Sequence, residues 1–269
     1  MAFWKIVLSY DGSGFHGWQV QPGRSTVQGT LAAALEKMTG EHVLPQGSGR
    51  TDAGVHALGQ VASFAMEAEI PADNLLRALN RSLPQSIRVL QVEEVGEAFH
   101  ARHSAVRKTY EYRIFERKVK EIDEERICPP FVAPYAWDCR WTLEIEAMQE
   151  AAAMLRGTHD FTSFAAVDPD RAQRDEGAAG PNPVKTIFAS EVTRRDGLLR
   201  YRVTGSGFLH HMVRNIVGTL SEVGRGALKA EEMRRILAAK DRAAAGPTAP
   251  AQGLFLVEVE YGDGEGVGA

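Results

Sequence analysis

The sequence predicts an α+β protein made of two related halves with a cleft between them. Three observations support this class. Strand-like and helix-like segments alternate in two blocks of similar order. The 269 residues can bury a core without disulfides, as one large domain or two smaller ones. The content of 44% hydrophobic and 25% charged residues is typical of globular proteins. We place the halves at residues 1–105 and 106–269, related by element order alone.

The first half predicts the order β-α-β-α-β. Ser25 followed by Gln28 has the form of a capping box, so a helix should open there. Val27, Leu31 and Leu35 then fall on one helical face. The predicted elements are a strand at 3–10, this helix, a glycine-rich turn at 47–54, a strand at 61–66, a helix at 73–83 and a strand at 87–95.

The second half repeats this alternation. It begins with a strand in which Tyr110, Tyr112 and Ile114 alternate with Glu111, Arg113 and Phe115. The predicted elements are this strand at 109–115, a helix at 143–155, strands at 186–192 and 199–204, helices at 209–223 and 231–239, and a strand at 254–261. Residues 168–183 are rich in Gly, Pro and charge without periodicity, which predicts a long loop.

Composition narrows the functional classes. No stretch approaches the roughly 20 apolar residues of a membrane helix, and the first residues run directly into a strand pattern rather than a signal peptide. We therefore expect a cytoplasmic protein without membrane association. Cys128 and Cys139 have neither CxxC spacing nor neighbouring histidine clusters, so free thiols are expected rather than zinc ligands or a disulfide.

Charge is distributed unevenly along the chain. The net charge of −4 argues against indiscriminate nucleic-acid binding. Residues 100–120 are nevertheless basic with interleaved aromatics, a mixture that suits phosphate contact and base stacking. A solvated strand with long cationic side chains explains the same pattern equally well. The cations are Arg102, Arg107, Lys108, Arg113, Arg117, Lys118 and Lys120, against Glu111 and Glu116.

The most unusual segment is Gly47–His56, where glycines surround Arg50 and Asp52. Glycine lets the backbone pass close to a ligand and supplies positive φ angles in tight turns. The segment lacks the GxxxxGK[ST] pattern of a phosphate-binding loop. Taken alone, an aspartate in such a loop is more often a turn former than a catalyst.

The predicted helix at 209–223 offers a second candidate. Its apolar residues define one face by i, i+3, i+4, i+7 spacing. Arg214 points away from that face, on the side of His211, Asn215 and Gly218, where it could approach another chain segment or a ligand closely, or simply be solvated. His210 and His211 diverge as adjacent helical residues, so a metal site is not expected.

Six segments in order resemble the tRNA pseudouridine synthase A family across nearly the whole chain. Any one would be weak evidence, whereas six in family order are specific. The resemblance implies the pseudouridine synthase fold, with mixed, mainly antiparallel sheets flanking a central cleft. The segments are Tyr10–Gln19 (YDGSGFHGWQ), Gly49–His56 (GRTDAGVH), Phe99–Arg102 (FHAR), Arg107–Tyr112 (RKTYEY), Gly207–Gly218 (GFLHHMVRNIVG) and Ala249–Leu254 (APAQGL).

The resemblance also implies roles for single residues. Asp52 matches the essential catalytic aspartate, and Arg50 matches an arginine that helps to extrude the target base. Tyr110 matches the tyrosine that packs on the target uracil. Arg214 matches the basic partner of the aspartate, and Leu254 matches an apolar residue lining the pocket. The implied protein is a homodimer that modifies uridines 38, 39 and 40 of the tRNA anticodon arm. It uses no cofactor or metal, and DNA is not a substrate.

Chemistry explains why these groups would be needed. Burial disfavours a charged carboxylate, so an adjacent guanidinium such as Arg214 would keep Asp52 ionised and aimed. Arg102 and Arg107 could bind phosphates and offset the cost of unstacking the base. Attack of Asp52 at C1′ of the ribose and at C6 of the base both remain open, as do the Tyr110 hydroxyl and a bound water as acceptors of the C5 proton. Two rival classes are a non-catalytic tRNA-binding protein and an Asp/His hydrolase acting on nucleic acid.

Overall fold

The computed structural model describes residues 1–120, 124–167 and 182–262. Most of the loop predicted at 168–183 therefore lies outside the described residues. The chain divides into two compact units: Met1–Lys108 together with the segment that begins at Phe255, and Thr109–Leu254. The predicted halves gave the last strand to the second block, whereas it lies in the first unit. Within the described residues, no helix has the length and apolar character of a membrane span.

The helices and strands follow the predicted alternation closely. The longer strands begin or end up to five residues beyond their predicted limits, and two short strands in the second unit were not predicted. In chain order they are β1 (Ala2–Tyr10), α1 (Val27–Thr39), β2 (Gln46–Gly47), β3 (His56–Met66), α2 (Ala72–Ser82), β4 (Ile87–Val95), β5 (Ala105–Glu116), β6 (Trp137–Cys139), α3 (Ile145–Ala153), β7 (Gly157–Asp160), β8 (Val184–Arg195), β9 (Leu198–Gly205), α4 (Met212–Gly224), α5 (Glu232–Ala239) and β10 (Leu254–Tyr261).

The first unit is organised on a mixed sheet with strand order β4-β1-β3-β10. β1 is antiparallel to both β3 and β4, and β2 adds an antiparallel segment to β3. β10 runs parallel to β3, with Phe255 opposite His56. Along β1 the side chains of Trp4, Ile6 and Leu8 are buried at alternate positions, as the period of a strand requires. The pairing with β3 is why β10 belongs to this unit.

The start of α1 corrects the predicted capping box. The N-cap is Thr26, not Ser25, and its Oγ1 accepts a hydrogen bond from the Gly29 N–H at 3.3 Å. Gln28 is buried and does not reach back to the cap. Its amide instead bonds the backbone of Val20 and Pro45, at 2.9 Å each. The sequence signal misplaced the cap by one residue because Ser and Thr both stand at the boundary.

The second unit contains a sheet with strand order β5-β9-β8-β7, in which β7, β8 and β9 are antiparallel neighbours. The unpredicted strand β6 pairs in parallel with the end of β5. β6 and β7 span three and four residues, too short for a periodic pattern in the sequence. α3 packs on both α4 and β8. The predicted α+β class, with mixed and mainly antiparallel sheets, is confirmed.

Helix α4 starts later than predicted. It begins at Met212, because His211 adopts left-handed backbone geometry with φ of 58° and serves as the N-cap. His210 and His211 are thus not successive helical residues. Their ring centroids lie 3.9 Å apart, so the expectation that the rings diverge is wrong.

Helix α4 is also buried on more sides than its apolar pattern indicated. Asn215 is fully buried, and its Nδ2 donates to the Phe164 carbonyl at 2.7 Å. A Cβ at Gly218 would stand 1.6 Å from the carbonyl oxygen of Pro247. The close approach of another chain segment, which the glycine beside Arg214 allowed, is confirmed, since the 246–249 segment crosses the helix there. Arg214 itself is half-buried, as its place off the apolar face required.

Candidate active site

The Asp52 loop, residues 48–55, connects the short strand β2 to β3. Asp52 is half-buried, and its carbonyl accepts a hydrogen bond from the Val55 N–H at 3.1 Å, which closes a tight turn. Arg50 stands two residues earlier and is also half-buried. Ser48 and Thr51 are buried beneath them. The loop thus combines the two predicted site residues with two buried anchors.

The segment Tyr10–Gln19 packs directly against this loop. The Trp18 N–H donates to the Thr51 carbonyl at 3.0 Å, and the Gly54 N–H donates to the Phe15 carbonyl at 3.3 Å. The Trp18 ring is buried against Gly47. Trp18 is therefore a packing residue that supports the loop.

Gly17 packs closely against the backbone of the loop. Its φ is +87°, and a Cβ there would lie 2.6 Å from the Thr51 carbonyl oxygen. We expect Gly17→Ala to destabilise the protein by about 2–4 kcal/mol, since left-handed strain adds to a backbone clash. Gly23→Ala is the matched control, because Gly23 has φ of +69° with open space around it. It should cost only about 1–2 kcal/mol. Urea unfolding of both variants measures the difference, and equal losses would contradict the proposed contact.

Asp11 and His56 meet beside the same loop. The Gly12 N–H donates to Nδ1 of His56 at 3.1 Å, and the Asp11 carboxylate lies 3.2 Å from that nitrogen. A lone pair on Nδ1 accepts the first contact, whereas a proton on Nδ1 would be donated to the second. The imidazole also stacks on Phe255 of β10, with ring centroids 4.7 Å apart. Asp11 and His56 therefore form a polar contact beside the loop, although no pattern in the sequence indicated a role for His56.

The remaining predicted arginines of the first unit lie outside the loop. Arg102 is exposed, and its N–H donates to Nδ1 of His100 at 3.1 Å. Arg107 lies 3.7 Å from the Glu260 carboxylate of β10. Lys108, one of the cations of the basic segment 100–120, reaches the loop instead. Its Nζ donates a hydrogen bond to the Ser48 carbonyl. Its position on β5 gave no local signal of this long-range contact.

Part of the basic segment is neutralised by acids within the second unit. Arg117 makes two 2.8 Å hydrogen bonds to Asp138, which hold the pKa of that carboxyl below its usual range. Arg113 bonds Glu111 at 2.7 Å, and Lys120 lies 3.2 Å from Glu144. For these three cations the structure favours the interpretation as a solvated, ion-paired strand surface over phosphate contacts.

Three other motifs meet in the second unit. Tyr110 on β5 is buried and meets Phe208 edge to face, with ring centroids 4.9 Å apart. Arg214 in the first turn of α4 donates from Nε to the Ala249 carbonyl at 2.8 Å, and the Ala249 N–H donates back to the Arg214 carbonyl at 3.1 Å. Leu254, the first residue of β10, is buried.

The segment 247–253 is tied to its neighbours along its length. The Tyr112 hydroxyl donates to the Pro250 carbonyl at 2.7 Å, and Gly253 packs against the Tyr112 ring. Together with the Ala249 contacts, these bonds hold the segment against both β5 and α4. Five of the six motifs thus fall into two sets of contacting segments. The first set, in the first unit, is 10–19 with 49–56. The second set is 107–112, 207–218 and 249–254.

The structure places an aspartate in a glycine-rich loop of an α+β scaffold of two units. Comparison with known protein families shows to which class this protein belongs. A family model described as tRNA pseudouridine synthase matches residues 6–104 and 151–262. The chain belongs to this family, as the sequence resemblance predicted.

Individual relatives place it more finely. Proteins named tRNA pseudouridine synthase A resemble it over nearly their full length. That of Solibacter usitatus (strain Ellin6076) is 50% identical over 257 residues, which cover 96% of this chain and 98% of the relative. The relative from Moorella thermoacetica (strain ATCC 39073 / JCM 9320) is 45% identical, covering 96% and 98%. That of Thermoanaerobacter sp. (strain X514) is 43% identical, covering 95% and 98%.

Proposed function

We propose that this protein isomerises uridine to pseudouridine at positions 38, 39 and 40 of the tRNA anticodon arm, with Asp52 as the catalytic carboxylate. The observation that carries the proposal is the half-buried aspartate in a glycine-rich loop of a tRNA pseudouridine synthase family member. The reaction breaks the N1–C1′ bond, turns the uracil and forms the C5–C1′ bond. C5 loses one proton and N1 gains one, so no atom is gained or lost overall.

A carboxylate suits this chemistry because it can form a bond and then leave. Attack at C1′ displaces uracil, whereas attack at C6 holds the base while the glycosidic bond breaks. Both routes return Asp52 unchanged and require no redox partner. The half-buried position of Asp52 supports the role, since the group is open to a substrate yet partly withdrawn from water.

We assign Arg214 as the cation that keeps the carboxylate charged and directed. A guanidinium can donate two parallel hydrogen bonds to a carboxylate, which a lysine cannot. The 2.8 Å bond from Nε to the Ala249 carbonyl supports this assignment, because it restrains the guanidinium plane. Tyr110 is proposed to stack on the target uracil, and Leu254 to line the pocket.

The target base must leave the helical stack before reaction, at a cost of roughly a few kcal/mol. We propose that Arg50 helps to extrude it, as its position two residues before Asp52 in the same loop supports. Arg102 and Arg107 are proposed phosphate contacts; both are exposed, and Arg107 lies 3.7 Å from Glu260. Glu260 would have to release Arg107 on tRNA binding.

We further propose a homodimer that acts in the cytoplasm, on tRNA rather than DNA, without cofactor or metal. The proposal rests on the family resemblance; the two free cysteines also suit a reducing compartment.

The reaction is tested with unmodified tRNA labelled with tritium at uracil C5. The protein should release label into water without added nucleotide or metal, because C5 exchanges its hydrogen for the new C–C bond. Substitution of uridine 38, 39 or 40 should remove the corresponding share of label. Intact RNA of unchanged mass is also expected. Chain scission, or free uracil, would replace this proposal with a hydrolase.

A further inference from the structure

A buried polar network lies behind the Asp52 loop. It joins Tyr10 of β1, Ser48 and Thr51 of the loop, and Gln60 of β3, all less than a tenth exposed. The hydroxyls of Tyr10 and Thr51 lie 2.8 Å apart. The Ser48 hydroxyl donates to Oε1 of Gln60 at 2.7 Å, and Nε2 of Gln60 donates to the Gly49 carbonyl at 2.9 Å. The network thus spans two strands and the loop between β2 and β3.

Gln60 is the hub of this network. Its side chain is fully buried, and its amide orientation is fixed by backbone groups, since the Val61 N–H requires an oxygen and the Gly49 carbonyl requires an N–H. Its second N–H points to the Tyr10 hydroxyl oxygen at 3.4 Å, and that hydroxyl shares a hydrogen bond with the hydroxyl of Thr51. Burial raises the pKa of Tyr10 to about 12, which keeps that phenol protonated at neutral pH.

The network holds the residues that flank the proposed reacting groups. Ser48 and Thr51 are buried, whereas Arg50 and Asp52 are half-buried. The backbone bonds reinforce the same points, from the Ser48 N–H to the Val61 carbonyl at 2.7 Å and from the Trp18 N–H to the Thr51 carbonyl at 3.0 Å. The loop is therefore fixed immediately before each of its two site residues.

We propose that Gln60 and Tyr10 are positioning residues for the isomerisation, which set the direction of the Asp52 carboxylate by fixing Gly49 and Thr51. They do not touch the substrate. Misplacement of a reacting group by about 1 Å can cost on the order of 10²-fold in rate. Their removal should therefore lower kcat, while the KM for tRNA stays nearly constant because the exposed surface is untouched.

A purely structural role predicts a different result. A buried tyrosine hydroxyl bonded to one other hydroxyl also occurs in the second unit, where the Tyr201 and Ser190 hydroxyls lie 3.0 Å apart. Tyr10→Phe and Tyr201→Phe delete the same atom from equally buried sites. If only stability mattered, the two variants would lose activity alike.

The test compares kcat and KM of both variants under conditions where each is fully folded by circular dichroism. We expect Tyr10→Phe to lower kcat about tenfold with KM within about twofold of wild type, and Tyr201→Phe to leave both constants unchanged. Tyr10→Phe with wild-type kcat, or a matching loss in Tyr201→Phe, overturns the positioning role of Tyr10.

Two further substitutions at Thr51 test whether its hydroxyl is the group that matters. Thr51→Val keeps the shape but removes the hydroxyl that meets Tyr10, whereas Thr51→Ser keeps the hydroxyl. Thr51→Val should lower kcat as much as Tyr10→Phe does. The double variant that combines these two changes should lower kcat no more than either single change. Additive losses would show that the two hydroxyls act separately, which overturns the network.

Gln60→Met, of similar volume, should lower kcat about 10²-fold. Should it fail to fold, Tyr10→Phe and the Thr51 variants still decide the outcome. Since positioning is defined for the reaction proposed above, the wild-type chain is assayed first. An inactive wild-type chain overturns the proposed function, whereas an active one with indifferent network variants overturns only the role of the network.

Discussion

Asp52→Asn should abolish pseudouridine formation, with a rate loss of at least about 10⁴-fold, while tRNA binding stays within a few fold of wild type. The amide keeps the shape of the side chain but cannot serve as a nucleophile at neutral pH. Tritium release under single-turnover conditions measures the rate, and filter binding of the same tRNA measures affinity.

Asp241→Asn is a matched control for this change. Asp241 is exposed in the second unit, and its carboxylate accepts a hydrogen bond from the Ala243 N–H at 2.9 Å, which an asparagine oxygen can also accept. This variant should retain full activity. If wild type is active and Asp52→Asn remains so, the catalytic assignment of Asp52 is wrong. If wild type binds tRNA without modifying it, the protein is the non-catalytic binder considered from the sequence.

The second large effect is expected at Arg214. Arg214→Ala should lower kcat by about 10²–10³-fold, because a carboxylate without its guanidinium is less ionised and less well aimed. Arg214→Lys should recover only a small part, since an ammonium cannot make two parallel bonds to a carboxylate. Loss of the bond to the Ala249 carbonyl should cost about 1 kcal/mol of stability. Single-turnover rates and urea unfolding separate the two effects.

Arg242→Ala tests whether removal of any arginine near the segment 247–253 would lower kcat as Arg214→Ala does. Arg242 donates to the side chains of Asn215 and Thr248, at 3.1 and 3.2 Å. Its removal should therefore destabilise the protein at least as much as Arg214→Ala, yet leave kcat unchanged. Comparable activity losses in both alanine variants would show that Arg214 acts through the fold of the segment and not through the carboxylate.

The regular elements followed from local pattern. β1, β4 and β10 lie within one residue of their predicted bounds because period-two alternation and turn residues act over a few positions. The same local logic misplaced the starts of α1 and α4. The Thr26 cap is bonded within the helix but stands beside an equally suitable Ser25, and the left-handed geometry of His211 has no signature in residue type. β6 and β7 are strands only because they pair with β5 and β8.

The candidate site divides in the same way. Asp52, Arg50, Tyr110, Arg214 and Leu254 were found through the motifs that surround them, without any contact being known. Three other features could not be predicted from motifs, because each depends on a residue distant in the chain. They are the burial of Asn215, the contact of Lys108 with Ser48 and the Gln60 network. Gln60 in particular looks like an ordinary polar position of a strand.

The sequence by itself determined the family, the α+β class and the residues proposed for the chemistry, since each of these is written in short, contiguous motifs and periodic segments. The tertiary structure alone decided which motifs support one another and which side chains are anchors. It also decided that β10 joins the first unit and that cations of the basic segment 100–120 are partly neutralised by acidic side chains. These properties arise from hydrogen bonds and packing between residues far apart in the chain, and such contacts leave no local pattern to read.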